Sequence, residues 1–171
     1  TSEPSYDAPA MFTTHSSLSV LDLGATKTVI GINLVADVMN NLHPSSRKNL
    51  QRCPCHVTSR FGNHGTLQSE QALVVPLQDL LLKIAIVPGS TPFLLSNTLL
   101  RAMHAVIDVE RHVLWSKKYN QEYPLTLTPK GLFLIDLNDL AANTAKTSEG
   151  GRPAETHLAD SESPKHASHH D

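Results

Sequence analysis

The chain has 171 residues, about the length of one domain, and its formal net charge is −2. It therefore lacks the basic block that would bind a row of phosphates, and we expect protein or peptide partners and no direct nucleic-acid contact. No apolar run approaches the ~20 residues of a membrane-spanning helix, and no basic and then apolar leader opens the sequence, so neither a membrane partner nor a signal peptide is predicted.

Two changes of composition divide the chain. Residues 1–16 and 141–171 contain few of the large apolar residues that form a core, which predicts a disordered tail at each end. Residues 17–140 are predicted to form one folded domain. The sequence begins with Thr1, as a segment of a longer polypeptide would.

The first half of this domain has the pattern of short strands. The stretch SLSVLDLG alternates apolar and polar residues and then turns at Gly24, and KTVIGINLV follows as a second strand. In HVTSRFGNHGTLQS, two strand-like arms flank Asn63, His64 and Gly65, which predicts a hairpin.

The second half changes its period once. ALVVPL and LLLKIAIVPG are predicted to be paired strands. In TPFLLSNTLLRAMHAV, apolar residues recur at spacings of three to four behind a candidate N-cap, Ser96 or Asn97, which predicts one short helix. VIDVERHVLW and PLTLTPKGLFLIDL return to strands. The predicted class is all-β, a closed barrel or sandwich with one short helix.

Asp22 is the residue that most needs an explanation, because it lies in a Gly-containing turn between apolar runs, where an unpaired carboxylate is costly to desolvate. One interpretation is an Asx-type turn, in which the carboxylate accepts hydrogen bonds from nearby backbone N–H groups. The other is a functional carboxylate. The sequence of the loop alone favours the Asx-type turn, whereas motifs elsewhere in the chain favour a functional carboxylate.

Three motifs occur in an order and spacing that resemble the retropepsin-like aspartic proteases of Copia-type retrotransposons. LDLGATKTVIG is similar to the active-site loop of that family, and RFGNHGTLQSEQALVVPL is similar to its flap hairpin and the strands that follow. PFLLSNTLLRAMHAVIDVERHVLW resembles its third landmark, a strand, a short helix and a further strand. The resemblance covers residues 17 to about 138.

The resemblance implies a homodimeric active site, because one protomer supplies only one Asp. Two symmetry-related carboxylates would share a proton, activate a water and cleave a polyprotein peptide bond, with no cofactor and no metal. It also implies an intracellular location, in the cytoplasm or an element particle. The implied catalytic-loop residues are Asp22, Gly24, Ala25 and Thr26. The implied substrate-binding flap residues are Phe61, Gly62, Asn63, His64 and Gly65.

Two positions depart from the family pattern. Leu23 stands where relatives have Thr or Ser, so the hydroxyl that would link the two protomers is absent. Ser96 stands where relatives commonly have Gly, a milder change. The alternative function is therefore a catalytically inactive retropepsin-like module for dimerisation or peptide binding. A purely structural β-domain, in which Asp22 only caps its turn, is the third hypothesis.

The remaining candidates have structural interpretations. Asp108 and Asp136 each follow an apolar run without a Gly after them, so we predict strand-end acids and no second active-site loop. Cys53 and Cys55 are separated by one residue, closer than the usual spacing of zinc ligands, and we expect two free thiols.

Overall fold

The computed structural model describes residues 16–60 and 65–142, and this part of the chain is mostly β. The strands are β1 (Leu18–Asp22), β2 (Val29–Gly31), β3 (Gln51–Arg60), β4 (Thr66–Leu77), β5 (Leu80–Val87), β6 (Leu94–Ser96), β7 (Ala105–Asp108), β8 (Val113–Ser116), β9 (Gln121–Pro124), β10 (Thr126–Leu127) and β11 (Phe133–Asp136). The helices are α1 (Ile32–Asn40), α2 (Pro44–Arg47), α3 (Asn97–Ala102) and α4 (residues 137–142).

The strands form two sheets. The larger has eight strands in the order β10-β11-β1-β6-β2-β5-β4-β3, and the smaller has the order β7-β8-β9. Most neighbours are antiparallel, but β1 runs parallel to β6 and β2 runs parallel to β5. In the first of these pairs, Asp22 lies opposite Ser96 at the ends of both strands. The sheet thus places the turn after β1 beside the start of α3.

The closed-barrel part of the prediction is wrong for the described residues, because neither sheet closes on itself. Closure requires the two edge strands of a sheet to pair with each other. Here the edges of the larger sheet are β3 and β10, and β10 has only two residues. The all-β class holds at the coarser level.

The prediction of a single short helix is also wrong, since four short helices occur in the described part of the chain. The largest error is in KTVIGINLV, where the strand ends at Gly31 and α1 begins at the next residue. Val35 and Val38, three residues apart, are the buried residues of α1, so helical spacing had already begun there. The helix that was predicted is α3, with Ser96 as its N-cap.

The larger sheet carries a hydrophobic cluster on each face, because successive side chains in a strand point to opposite sides. The major cluster packs against the helices and includes Leu95 of β6. The minor cluster lies on the other face and consists of five buried residues, Val20, Val29, Ala85, Leu94 and Leu134. Partly buried residues that pack against it include Val57 of β3.

Val57 reaches the minor cluster because the hairpin of β3 and β4 extends past its neighbouring strand. β4 pairs with β5 only from Gln71 onward, whereas its pairing with β3 continues to Thr66. A register shift between Pro54 and Val57 bends β3 at this point, as β-bulges do. We call residues 57–60 and 66–69 the hairpin arm. The arm lies on the side of the sheet that carries the minor cluster.

Ala141 is buried in α4, and residues 141 and 142 are helical. The rest of both predicted tails, residues 1–15 and 143–171, lies outside the described residues. Within those residues, no helix has the length and apolar character needed to span a membrane.

Candidate active-site cleft

Asp22 ends β1, on the sheet face that carries the minor cluster. Its own turn engages one carboxylate oxygen, because the backbone N–H of Gly24 donates to Asp22 Oδ1 at 3.0 Å. The N–H of Ala25 donates to the Asp22 carbonyl at 3.1 Å. This is the geometry that the Asx-turn interpretation predicts. Asp22 Oδ2 makes no hydrogen bond to any described residue, so half of this partly exposed carboxylate is available to a ligand.

The loop after Asp22 is fixed to β6 and α3 by three hydrogen bonds. The N–H of Asn97 donates to the carbonyl of Ala25 at 2.7 Å, and the Thr98 hydroxyl donates to the carbonyl of Thr26 at 2.8 Å. The buried Thr28 hydroxyl accepts from the N–H of Ser96 at 3.0 Å. These bonds hold the backbone on both sides of the carboxylate in one conformation.

Thr28, and not the predicted site residue Thr26, therefore contributes the hydroxyl that anchors this loop. Thr26 is exposed and takes part through its carbonyl, and its hydroxyl makes no hydrogen bond to the described residues. Thr28 is fully buried immediately before β2. Thr28 lies inside the predicted strand KTVIGINLV, and a hydroxyl that a strand buries needs a hydrogen-bond partner, which was the available signal.

Ser96, the second departure from the family pattern, has a structural use here. Its side-chain oxygen accepts from the N–H of Leu99 at 3.1 Å and so caps α3. A serine N-cap satisfies a backbone donor that would otherwise be unpaired at the helix start. The substitution is therefore compatible with this site.

The space beside Gly24 would accept a β-carbon. A β-carbon built on it meets only Asp22 Oδ1, at an ordinary contact distance of 3.5 Å. At Gly31, in contrast, a β-carbon would lie 2.4 Å from the backbone nitrogen of Thr91. The close approach of backbone segments therefore occurs at the end of β2, away from the Asp22 turn.

A cleft of about 460 Å³ lies between the Asp22 loop and the hairpin arm. This volume is within the range of about 300–1,000 Å³ that is typical of ligand sites. Its lining residues are Asp22, Gly24, Ala25, Thr26 and Lys27 from the loop, Val29 and Leu94 from the minor cluster, and Thr58, Ser59 and Arg60 from the arm. All four residues predicted for the catalytic loop thus line one cleft.

The predicted flap residues Phe61, Gly62, Asn63 and His64 lie outside the described residues. Gly65 is exposed and immediately precedes β4. The described part of the hairpin contributes Thr58, Ser59 and Arg60 to the cleft, three residues that the sequence did not single out.

Leu23, the first departure from the family pattern, is 60% exposed beside Asp22. It is one of five large hydrophobic residues exposed in the described chain, together with Ile32, Val106, Val109 and Leu127. Its exposure means that this leucine makes little contribution to the hydrophobic core of the described chain.

The other acids have the strand-end positions that were predicted. Asp108 ends β7 and accepts hydrogen bonds from the N–H groups of Glu110 and Arg111. Asp136 ends β11 and accepts from the Ser17 hydroxyl at 2.6 Å. Neither residue lines the cleft.

The cysteines are free thiols on β3, and the Sγ of buried Cys55 lies 3.6 Å from the Ser69 hydroxyl. Among the described residues, no group of three or more His, Cys, Asp or Glu side chains is placed to hold a metal ion.

The titratable groups with shifted pKa values lie outside the cleft. Burial raises the pKa of Tyr119, and its hydrogen bond to Asp79 adds to the effect. Burial also raises the pKa of Asp139 in α4, helped by the nearby charge of Asp136. These pKa shifts result from burial within the domain and concern no residue of the cleft lining.

The chain matches no protein-family model and no curated protein. The geometry of the cleft, together with the resemblance of the three motifs, therefore carries the functional conclusion.

Proposed function

We propose that this chain is a retropepsin-like aspartic endopeptidase that acts as a homodimer. The observation that carries the proposal is the half-free carboxylate of Asp22, held by an anchored loop in a cleft of about 460 Å³. A second supporting observation is the hairpin arm on the opposite side of that cleft, which offers a β-strand beside which an extended peptide could bind.

The proposed chemistry needs two carboxylates, and one protomer offers one. Asp22 is the only acidic residue of the described chain that lines the cleft. A two-fold axis near the Asp22 turn would bring a second copy of the same side chain beside it. Because like charges at close range cannot both ionise, the pair would hold one shared proton. The ionised member would take a proton from water, and the protonated member would donate to the developing oxyanion.

The exposed side chain of Leu23 supports self-association at the same place. It is adjacent to Asp22, and a symmetric interface at the turn would cover it. Burying a full leucine side chain contributes about 1.5–3 kcal/mol, so covering the exposed part in both protomers is a substantial gain for a dimer.

A quenched fluorogenic peptide with apolar residues on both sides of the scissile bond tests the proposal. We expect cleavage at acidic to near-neutral pH, where the pair holds one proton. Asp22→Asn should abolish cleavage while the fold and the dimer persist, because the amide is nearly isosteric and cannot act as a general base. Asp37→Asn on α1 is the matched control and should cleave at the native rate. Undiminished cleavage by Asp22→Asn contradicts the proposal.

The second candidate function is an inactive module that binds peptides or dimerises. Leu23 favours it, because the position lacks the hydroxyl of relatives, and so does the Asx turn that already engages Asp22 Oδ1. Leu23→Thr restores the hydroxyl and should leave cleavage unchanged or raise it. If neither the native chain nor Leu23→Thr cleaves any peptide while both sediment as dimers, the inactive module is the correct assignment.

A further inference from the structure

Two of the residues that line the cleft are cationic and have no ion-pair partner in the described structure. Lys27 lies on the Asp22 loop and Arg60 on the hairpin arm, so the charges come from opposite walls. The ion pairs found among the described residues involve neither of them. Asp22 is the only acidic residue of the described lining, so its cationic residues outnumber its acidic ones by one.

The cleft also contains a buried hydroxyl without a partner. Ser59 on the arm is 7% exposed, and its Oγ makes no hydrogen bond to any described residue. Buried polar groups are almost always paired, so an unpaired one in a cleft indicates a place for a ligand atom. Ser59 follows Val57 by two residues in β3, which places it on the side of the strand that faces the minor cluster. Arg60 is the exposed last residue of β3, so it alternates to the other side and lines the cleft from the end of the strand.

The floor of the cleft is apolar, formed by Val29 and Leu94. A compact, highly charged anion would lie on this apolar surface and close to the carboxylate of Asp22, and both contacts are unfavourable. A peptide avoids both, because its apolar side chains can cover the floor while a single acidic side chain extends to the cations. The lining therefore favours a peptide with an acidic residue.

We propose that the cleft selects peptides that carry Glu or Asp near the bound segment, with Lys27 and Arg60 contacting the carboxylate and the Ser59 hydroxyl bonding to the bound chain. This specificity rests on the proposed function only in placing the peptide in the Asp22 cleft, and it requires no catalysis. Ion pairs at partly exposed sites are modest, so we expect the acidic side chain to improve affinity by roughly threefold to tenfold.

Fluorescence anisotropy on the full chain carrying Asp22→Asn tests the proposal without turnover. The probes are dye-labelled peptides of eight residues with apolar residues at the centre. They are made in pairs that differ only in having Glu or Gln at one position, and that position is moved along the peptide from one pair to the next. We expect at least one Glu peptide to bind roughly threefold to tenfold tighter than its Gln partner, with the difference shrinking at high salt. Lys27→Met and Arg60→Met should each reduce that difference, and Lys27→Glu should remove or reverse it.

Lys83→Met is the matched control, because Lys83 is an exposed cation on β5 outside the cleft lining. It should leave the preference for Glu unchanged. Ser59→Ala should weaken the binding of the Glu and Gln peptides equally and should raise the thermal midpoint of the free chain, since it removes an unpaired buried hydroxyl. A purely structural Ser59 would change stability without changing affinity.

The proposal is overturned if the two peptides of every Glu and Gln pair bind with equal affinity, or if no peptide binds. It is also overturned if Lys83→Met loses as much of the preference for Glu as Lys27→Met and Arg60→Met do. The proposed endopeptidase activity is judged separately with the native chain. Cleavage of the Glu and Gln peptides at equal rates would contradict the proposed acidic specificity and support the proposed endopeptidase activity. Tighter binding of Glu peptides, without cleavage by the native chain, would contradict the proposed endopeptidase activity and support the acidic specificity.

Discussion

Gly31→Ala should be one of the most destabilising single-methyl additions in this domain. The new β-carbon would lie 2.4 Å from Thr91 N and 2.5 Å from Gly89 O, against ordinary contacts of 3.4 Å or more. Both neighbours are backbone atoms, so β2 and the 89–91 loop must separate by about 1 Å. Two hydrogen bonds cross this contact, from Gly31 N to Thr91 O at 2.8 Å and from Asn33 N to Gly89 O at 3.0 Å.

The magnitude follows from these contacts. Overpacking of a well-packed site costs about 1–3 kcal/mol, and each weakened hydrogen bond costs up to about 1 kcal/mol. We therefore expect the free energy of unfolding to fall by about 2–4 kcal/mol, which for a domain of this size lowers the thermal midpoint by on the order of 10 °C.

Gly24→Ala is the matched control, because its β-carbon meets only Asp22 Oδ1 at 3.5 Å. Urea unfolding of the native chain and both variants provides the measurement. We expect Gly24→Ala to stay within about 1 kcal/mol of the native chain. Equal destabilisation by the two substitutions, or a Gly31→Ala variant as stable as the native chain, would refute the reasoning from backbone contact.

Thr28→Val removes the hydroxyl that accepts from the buried Ser96 N–H, and we expect it to lower the free energy of unfolding in urea by about 1–3 kcal/mol. Thr28→Ser keeps the hydroxyl and is the control. Similar losses of stability in both variants would show that the methyl group of Thr28, and not its hydrogen bond, matters. Because burial, and then the charge of Asp136, raise the pKa of Asp139 above 3.8, the native state retains this proton more readily than the unfolded state does. Stability from this group is therefore present at low pH and lost as pH rises through the raised pKa. Asp139→Asn should flatten that part of the dependence of thermal midpoint on pH, and an unchanged profile would contradict it. Leu23→Asp should shift self-association, measured by sedimentation, to at least roughly tenfold higher protein concentration, because it adds like charges where the proposed dimer brings the two Asp22 turns together. The monomer of this variant should have the same free energy of unfolding as the native monomer, since residue 23 is exposed.

Local sequence patterns were sufficient for most strands and for one helix start. β-branched runs bounded by turn residues located β4 and β5, whose predicted pairing is confirmed by the register from Gln71 with Ile86 to Leu77 with Leu80. The N-cap of α3 was readable because a serine cap is a local hydrogen-bonding device, and Ser96 indeed accepts from Leu99 N. These features depend on contacts between residues that are close in the sequence.

The helix α1 was missed for a local reason as well. Val29 and Ile30 are β-branched and belong to β2, and the apolar run continues without a break into Ile32. A short apolar run does not distinguish a strand from a buried helix by its period. The helical spacing of Val35 and Val38 becomes visible only when the run is read past its first half.

The sequence by itself determined that Asp22 follows a strand in a Gly-containing turn, and that the chain is mostly β. Only the tertiary structure decided what surrounds that carboxylate. The bond between Thr28 and Ser96 joins residues 68 positions apart, and the hairpin arm brings Ser59 and Arg60 to the same cleft as Lys27. Such contacts depend on strand order and on the bend in β3, which are set by how the whole sheet buries its two apolar faces. No short stretch of sequence contains that information, because burial is a property of the assembled fold.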